Sequence, residues 1–113
     1  MKYVCLIYVP DNLQDMPERD PEVTAGFYTF TKDVIDRGIR VASGRLGEAS
    51  LATTVRVREG KRLFSDGPFA EAKEVLAGFY VLECAELDEA LEQAARIPAS
   101  SYGAIEVRPL VDP

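Results

Sequence analysis

Apolar and polar positions along this chain follow two periods, near two and near 3.6 residues, and the changes between them mark its elements. Residues 3–9, Tyr-Val-Cys-Leu-Ile-Tyr-Val, form a nearly unbroken apolar run ended by Pro10-Asp11-Asn12, the pattern of a central strand covered on both faces. Residues 12–19 are polar, contain Pro17 and read as a loop. The next segment opens with helix-start chemistry: Asp20 is a capping residue, Pro21 suits the first helical position, and Glu22 complements the positive end of the dipole. Val23, Phe27, Phe30 and Val34 then recur at helical spacing with Ile35 beside them, so these residues are expected in the core, and Gly38 supplies the stop.

Beyond Gly38 the short period takes over. Residues 39–43 form a strand candidate, followed by a Gly44-Arg45-Leu46-Gly47 turn. Thr53, Val55 and Val57 alternate with Thr54, Arg56 and Arg58, which predicts a strand with one wet face; Glu59-Gly60 turns it and residues 61–65 return it as a hairpin arm. Residues 70–76 are ambiguous, because they contain helix formers while Glu71 and Lys73 share a face only in an extended chain. Residues 78–84 place Tyr80, Leu82 and Cys84 on one face and Phe79, Val81 and Glu83 on the other, so this strand too is expected to be central. Leu87, Ala90, Leu91, Ala94 and Ala95 make a helical stripe closed by Pro98, and residues 104–108 alternate as a last strand. The order β-α-β-β-β-α-β predicts an α+β, ferredoxin-like antiparallel sheet with two helices on one face and one additional hairpin arm. The other face then carries apolar side chains that need a cover, which a second copy in a homodimer would supply.

Composition narrows the function classes. A chain of 113 residues fits one domain spanning 1–113, and 47% hydrophobic with 28% charged residues suits a compact globular protein. The formal net charge of -6, without any run of Lys or Arg, disfavours nucleic acid and acidic membrane surfaces as partners. No apolar run approaches the roughly 20 residues that span a bilayer, and no signal-peptide pattern precedes the first strand, so a cytoplasmic location is expected. Cys5 and Cys84 lack metal or redox spacing and read as small core residues. Histidine is absent altogether, which excludes serine-histidine and cysteine-histidine catalysis and removes the commonest zinc ligand. No acidic loop suggests a metal, and no cofactor is expected.

The stretch between the hairpin and the second central strand reads Asp66-Gly67-Pro68-Phe69-Ala70-Glu71-Ala72-Lys73-Glu74. Asp-Gly-Pro is a strong turn signal, in which the proline biases Gly67 towards extended conformations. This segment, followed by Ala-Gly-Phe-Tyr-Val-Leu-Glu and later by Ile-Glu-Val-Arg-Pro, closely resembles the DGPF branch of the YCII-related protein family, and the likeness runs over almost the whole chain. The resemblance implies a ferredoxin-like domain that pairs into a dimeric α/β barrel, often with a ligand pocket in each half. It also implies a possible regulatory partner, since DGPF-type proteins are often encoded beside or fused to extracytoplasmic-function sigma factors. Part of the wider family is thought to use a histidine-aspartate dyad with the histidine on the first helix. This chain carries Phe27 and Tyr28 there, so the dyad does not transfer.

The candidate site residues follow from these placements. Tyr8, Tyr80, Glu106 and Arg108 from strands, and Arg45, Asp66, Phe69, Glu71 and Lys73 from loops, are expected around a small-molecule cleft at the DGPF corner and the dimer seam. No catalytic residue is assigned. Asp66 is the best candidate base, with Phe69 tuning its basicity one way and Lys73 or Arg45 the other. Arg45, flanked by Gly44, offers a guanidinium for a carboxylate or phosphate, and Glu106 with Arg108 forms either an ion pair or a pair of ligand contacts.

Overall fold

In the computed structural model, which describes residues 1–13, 20–70 and 72–112, the elements follow the predicted order. They are β1 (Lys2–Pro10), α1 (Pro21–Asp36), β2 (Arg40–Arg45), β3 (Thr53–Arg58), β4 (Lys61–Asp66), β5 (Glu74–Glu83), α2 (Leu87–Arg96) and β6 (Ala104–Pro109). Short 3-10 turns occupy Asp11–Leu13, Ala49–Leu51 and Pro98–Ser101. The expected loop over 12–19 falls mostly outside the described residues. Four strands pair antiparallel in the order β2-β5-β1-β6, with β3 and β4 forming a separate two-stranded ribbon. This is the ferredoxin-like α+β arrangement, and the two strands that lack a polar face are its central pair.

The register explains which side chains become core. Cys5 lies opposite both Tyr80 and Val107, and Leu6 lies opposite both Phe79 and Glu106. Tyr3, Cys5, Ile7 and Val9 therefore join Tyr80 and Leu82 beneath the helices, where all are buried. Val4, Leu6, Phe79 and Val81 occupy the opposite face and are only half-buried. That second face is the one for which the sequence demands a cover.

Helix α1 starts as its sequence dictates: the Asp20 carboxylate accepts from the backbone N–H of Glu22 at 2.9 Å and of Val23 at 3.4 Å. Phe30 and Val34 are buried, and the Phe30 ring meets Tyr80 edge-on at 5.1 Å between centroids. Ile35, expected in the core, is 48% exposed, because one residue beyond Val34 is a turn of about 100° off the apolar stripe. In α2 the expected stripe rotates likewise. Ala90, Gln93 and Ala94 face the sheet while Leu87 and Leu91 are exposed, so the helix docks through its smaller side chains and approaches closely. Arg96 ties the two helices together, donating to Gln93 at 2.6 Å and to Asp33 at 2.7 Å, and Arg37 reaches the same Asp33 oxygen at 3.2 Å. The hydrogen bond from Arg96, aided by Arg37 and opposed by partial desolvation, holds the Asp33 carboxyl below its ordinary value.

Two further expectations change. β3 was expected to have one wet face, yet on the ribbon both faces are wet: Val55 and Val57 are 57% and 59% exposed. Arg45, expected in a turn, is the last residue of β2, which the backbone reaches because Gly44 and Gly78 let β2 and β5 pass closely. A Cβ at Gly78 would stand 2.8 Å from the Gly44 carbonyl oxygen. Gly78→Ala is therefore expected to lose about 1–3 kcal/mol of stability, read from the urea unfolding midpoint at unchanged slope; wild-type stability would refute this packing.

The buried cysteines give a pH dependence. Burial, reinforced by Cys84 nearby, pushes the Cys5 thiol up to about 11 from its ordinary 9.0. A folded-state value above the unfolded one means that the unfolded chain loses its proton first as pH rises, so stability is intact below pH 9 and falls between pH 9 and 11. Unfolding measured across that window should show a shallower fall in Cys5→Ala than in the wild type. Equal slopes would remove Cys5 as the cause.

Candidate functional site

Between α1 and the sheet lies a cavity of about 310 Å³, at the lower end of the roughly 300–1,000 Å³ usual for small-molecule sites. Its helix wall is built from Thr24, Phe27 and Thr31, three residues whose spacing puts them on one face of α1. Ile7 and Val9 form part of the floor, β2 contributes Ser43, Gly44 and Arg45, β5 contributes residues 77–80, and Tyr102 completes the wall. The cavity lies where Thr24 and Thr31 interrupt the apolar stripe of α1. Helix and sheet stay in contact through Phe30 and Val34 farther along.

The polar groups in this cavity are neutral hydroxyls and one guanidinium. Thr31 Oγ1 and the Tyr80 hydroxyl share a 2.6 Å hydrogen bond. Burial pushes the Tyr80 phenol above its ordinary value, against the opposing pull of the Thr31 hydrogen bond and Arg40, so it stays protonated at neutral pH. The Tyr102 phenol is raised too, by burial and then by Asp20, and its hydroxyl is buried with no hydrogen-bond partner among the described residues. Arg45 is the charged side chain among the described lining residues, which include no Asp or Glu.

The sequence-derived candidates divide between several places. Arg45 and Tyr80 meet in the α1 cavity. Tyr8 and Phe69 line a second, more open groove of about 630 Å³ at the DGPF corner, together with Leu46, Glu48, Leu51, Glu74 and Leu76. Tyr8 and Tyr80 are on opposite faces of the sheet and do not converge. Glu106 and Arg108 share the uncovered face of β6 as an exposed pair at 3.9 Å, a separation at which such pairs add little stability. Lys73 sits in a shallow depression with Pro10, Asp11 and Asn12. Glu71 lies outside the described residues.

At the corner itself, Asp66 is exposed and Phe69 is 73% exposed, so the ring does not bury the carboxylate. Phe69 instead stacks beneath Arg56, whose guanidinium carbon is 4.8 Å from the ring centroid. Gly67 adopts φ +92°, against the extended geometry expected before proline. That conformation lets its N–H donate to the Ala52 carbonyl at 2.7 Å while its own carbonyl accepts from Thr54 Oγ1 at 2.9 Å. The corner's hydrogen bonds thus fix the base of the β3–β4 ribbon. Thr24, Thr31, Ser43 and Tyr102 were missed as site residues. The available signal was the pair of threonines flanking Phe27 at helical spacing, where a purely structural stripe would carry aliphatic residues. Among the described residues no three His, Cys, Asp or Glu side chains gather where they could hold a metal ion, and no helix is long and apolar enough to cross a membrane.

Fold and cavity together define a small ferredoxin-like protein with a pocket on the helix side of its sheet. The YCII-related domain model matches residues 1–112, and this chain belongs to that family. It is 36% identical over 114 residues to the uncharacterised protein R00369 of Rhizobium meliloti (strain 1021), with 97% of this chain and 92% of that protein covered. Its fold is similar to that of a 5-chloro-2-hydroxyhydroquinone dehydrochlorinase from Burkholderia phenoliruptrix AC1100, solved in complex with 2,5-dihydroxybenzoquinone. That likeness has a TM-score of 0.60 at 11% identity, over 98% of this chain and 94% of the other.

The Thr31–Tyr80 contact gives an asymmetric prediction. Thr31→Val leaves a buried phenol without its partner and is expected to cost about 1–3 kcal/mol, whereas Tyr80→Phe removes the buried hydroxyl itself and costs less. Thermal and urea unfolding of the two variants would reveal the order; a costlier Tyr80→Phe would show that the phenol makes further contacts.

Proposed function

We propose that this chain binds a small, largely apolar, ring-sized molecule carrying an acidic or oxygen-rich group in the cavity between α1 and the sheet. The observation that carries this reading is the lining: Phe27, Ile7 and Tyr80 supply apolar area, Thr31 and Ser43 supply hydroxyls, and Arg45 supplies positive charge. The described lining residues include no Asp or Glu to pair with a cationic ligand. The dehydrochlorinase of similar fold was solved with a dihydroxybenzoquinone, a compact oxygen-bearing ring, which supports the same size and chemistry.

Binding is the function these groups serve best. Both phenols of the cavity have their pKa values raised, so neither acts as a base at neutral pH, and Asp66 of the DGPF corner is not among the lining residues. The protein acts in this reading as a homodimer, with the half-buried face of Val4, Leu6, Phe79 and Val81 covered by a second copy.

A thermal-shift screen against small aromatic and aliphatic acids, phenols and amines tests the proposal, because a ligand that binds only the folded state raises its apparent stability. Acids and phenols should stabilise the wild type and amines should not. Thr24→Phe, which puts a ring at the exposed helix wall of the cavity, should abolish the shift, and Arg45→Gln should weaken acid binding about tenfold or more. Shifts that survive both changes would move the site to the corner groove. No shift with any compound would favour the sigma-factor partner.

A further inference from the structure

The hydroxyls of the α1 cavity carry more protons than their own chain accepts. Thr31 and Tyr80 share one hydrogen bond at 2.6 Å, in which either oxygen can be the donor. Two O–H groups joined by one bond leave one proton over, whichever way the bond runs. Burial, opposed by the Thr31 hydrogen bond and Arg40, raises the Tyr80 phenol, so that proton is kept at neutral pH. Ser43 repeats the pattern. Its Oγ accepts from Arg40 Nε at 2.7 Å, and its own proton has no acceptor among the described residues.

The backbone brings the two pairs together. Ser43 lies opposite Tyr80 in the β2–β5 register, so both side chains leave the sheet on the helix side, and both line the cavity with Thr31. In a regular strand Arg40 would point away from Ser43, because residues an odd number apart face opposite sides. The register shift between Arg40 and Ala42 adds one residue to β2 and turns Arg40 to the side of Ser43. There its guanidinium occupies a Ser43 lone pair and leaves the serine proton as the group's outgoing donor.

Two outgoing protons backed by a positive charge define what they receive. A carbonyl-type oxygen has two lone pairs and accepts both, whereas an ammonium group brings only protons and leaves the hydroxyls unsatisfied. We infer that Thr31, Ser43 and Tyr80 form the specificity-determining end of the cavity and receive a carbonyl or carboxylate oxygen of the ligand, with Arg40 as the positioning residue of Ser43. The inference rests on the cavity reading and adds where the ligand's acceptor oxygen docks and which hydroxyls select it.

Titrations followed by nuclear magnetic resonance test it with three ring-sized probes: acetophenone, which has a neutral carbonyl, benzoate, which has a carboxylate, and ethylbenzene, which has the shape of acetophenone without its acceptor. The wild type should bind acetophenone or benzoate more tightly than ethylbenzene, and the tighter of the two tells whether the oxygen is neutral or charged. Ser43→Ala removes one donor. Either member of the other pair can take over its outgoing proton, so Thr31→Val and Tyr80→Phe are made together, a double change that leaves neither hydroxyl behind unpartnered. Each of these variants should narrow the preference over ethylbenzene about fivefold while ethylbenzene affinity holds. Arg40→Met should narrow it too in the wild type and add nothing in the Ser43→Ala background. A wild type without the preference, or a preference that ignores both the Ser43 change and the double change, overturns the inference alone, provided that Thr24→Phe abolishes probe binding. Binding that survives Thr24→Phe, or no binding of any probe to the wild type, overturns the cavity reading and the inference with it. Ser43→Ala, on an edge strand, decides if the double variant fails to fold.

Discussion

The structure depends on the antiparallel pairing of β1 with β5. Both strands carry apolar residues on both faces, and their register sends Cys5, Ile7, Tyr80 and Leu82 to one side and Leu6, Val81 and Phe79 to the other. Two helices can cover only one of those sides, because α1 and α2 each follow a strand of the same sheet and return across the same face. What remains is a sheet with a finished helix side and an unfinished second side. The helix-side core forms first in importance: Leu82, Val34, Cys5 and Ile97 are fully buried there, and burial of such apolar area is the main favourable term in folding.

The cavity is a local departure from that close packing. Interiors normally fill space to crystal-like density, so a void of this size beneath α1 reflects the particular side chains around it. Thr24 and Thr31 stand where a close-packed helix face would carry long aliphatics. Those choices forgo apolar contacts and bring hydroxyls and a guanidinium to the cavity wall. The DGPF corner does different work. Its glycine conformation and two hydrogen bonds hold the ribbon, and its aromatic ring stacks under Arg56, which also belongs to the ribbon. The segment by which the chain is most easily related to others is therefore a structural clasp on the opposite side from the cavity's hydroxyls.

The unfinished side and the ribbon belong to one surface problem. Apolar side chains on an exposed sheet face and on an unsupported hairpin cost solubility unless another molecule covers them.

Much of the architecture was legible in the sequence, since periodicity, capping and turn chemistry act over a few residues. Asp20 and Pro21 start α1, Gly38 ends it, and the two-sided apolar runs mark β1 and β5 as central. The family was legible as well, from the DGPF segment and its companions. The site was legible only in part. Arg45 and Tyr80 were recognised as candidates, but the grouping with Tyr8, Glu106 and Arg108 failed to anticipate that strand parity puts Tyr8 and Tyr80 on opposite faces. Ile35 was assigned to the core from helical spacing and Leu91 to the apolar stripe of its helix, whereas the rotation of each helix about its axis is set by which side chains fit the sheet. Sequence alone determined the elements, their order and the need to cover a second face, because those follow from local geometry and the hydrophobic effect. Only the tertiary structure decided which hydroxyls meet in the cavity and that the ribbon stands free, because these depend on register and packing between residues far apart in the chain.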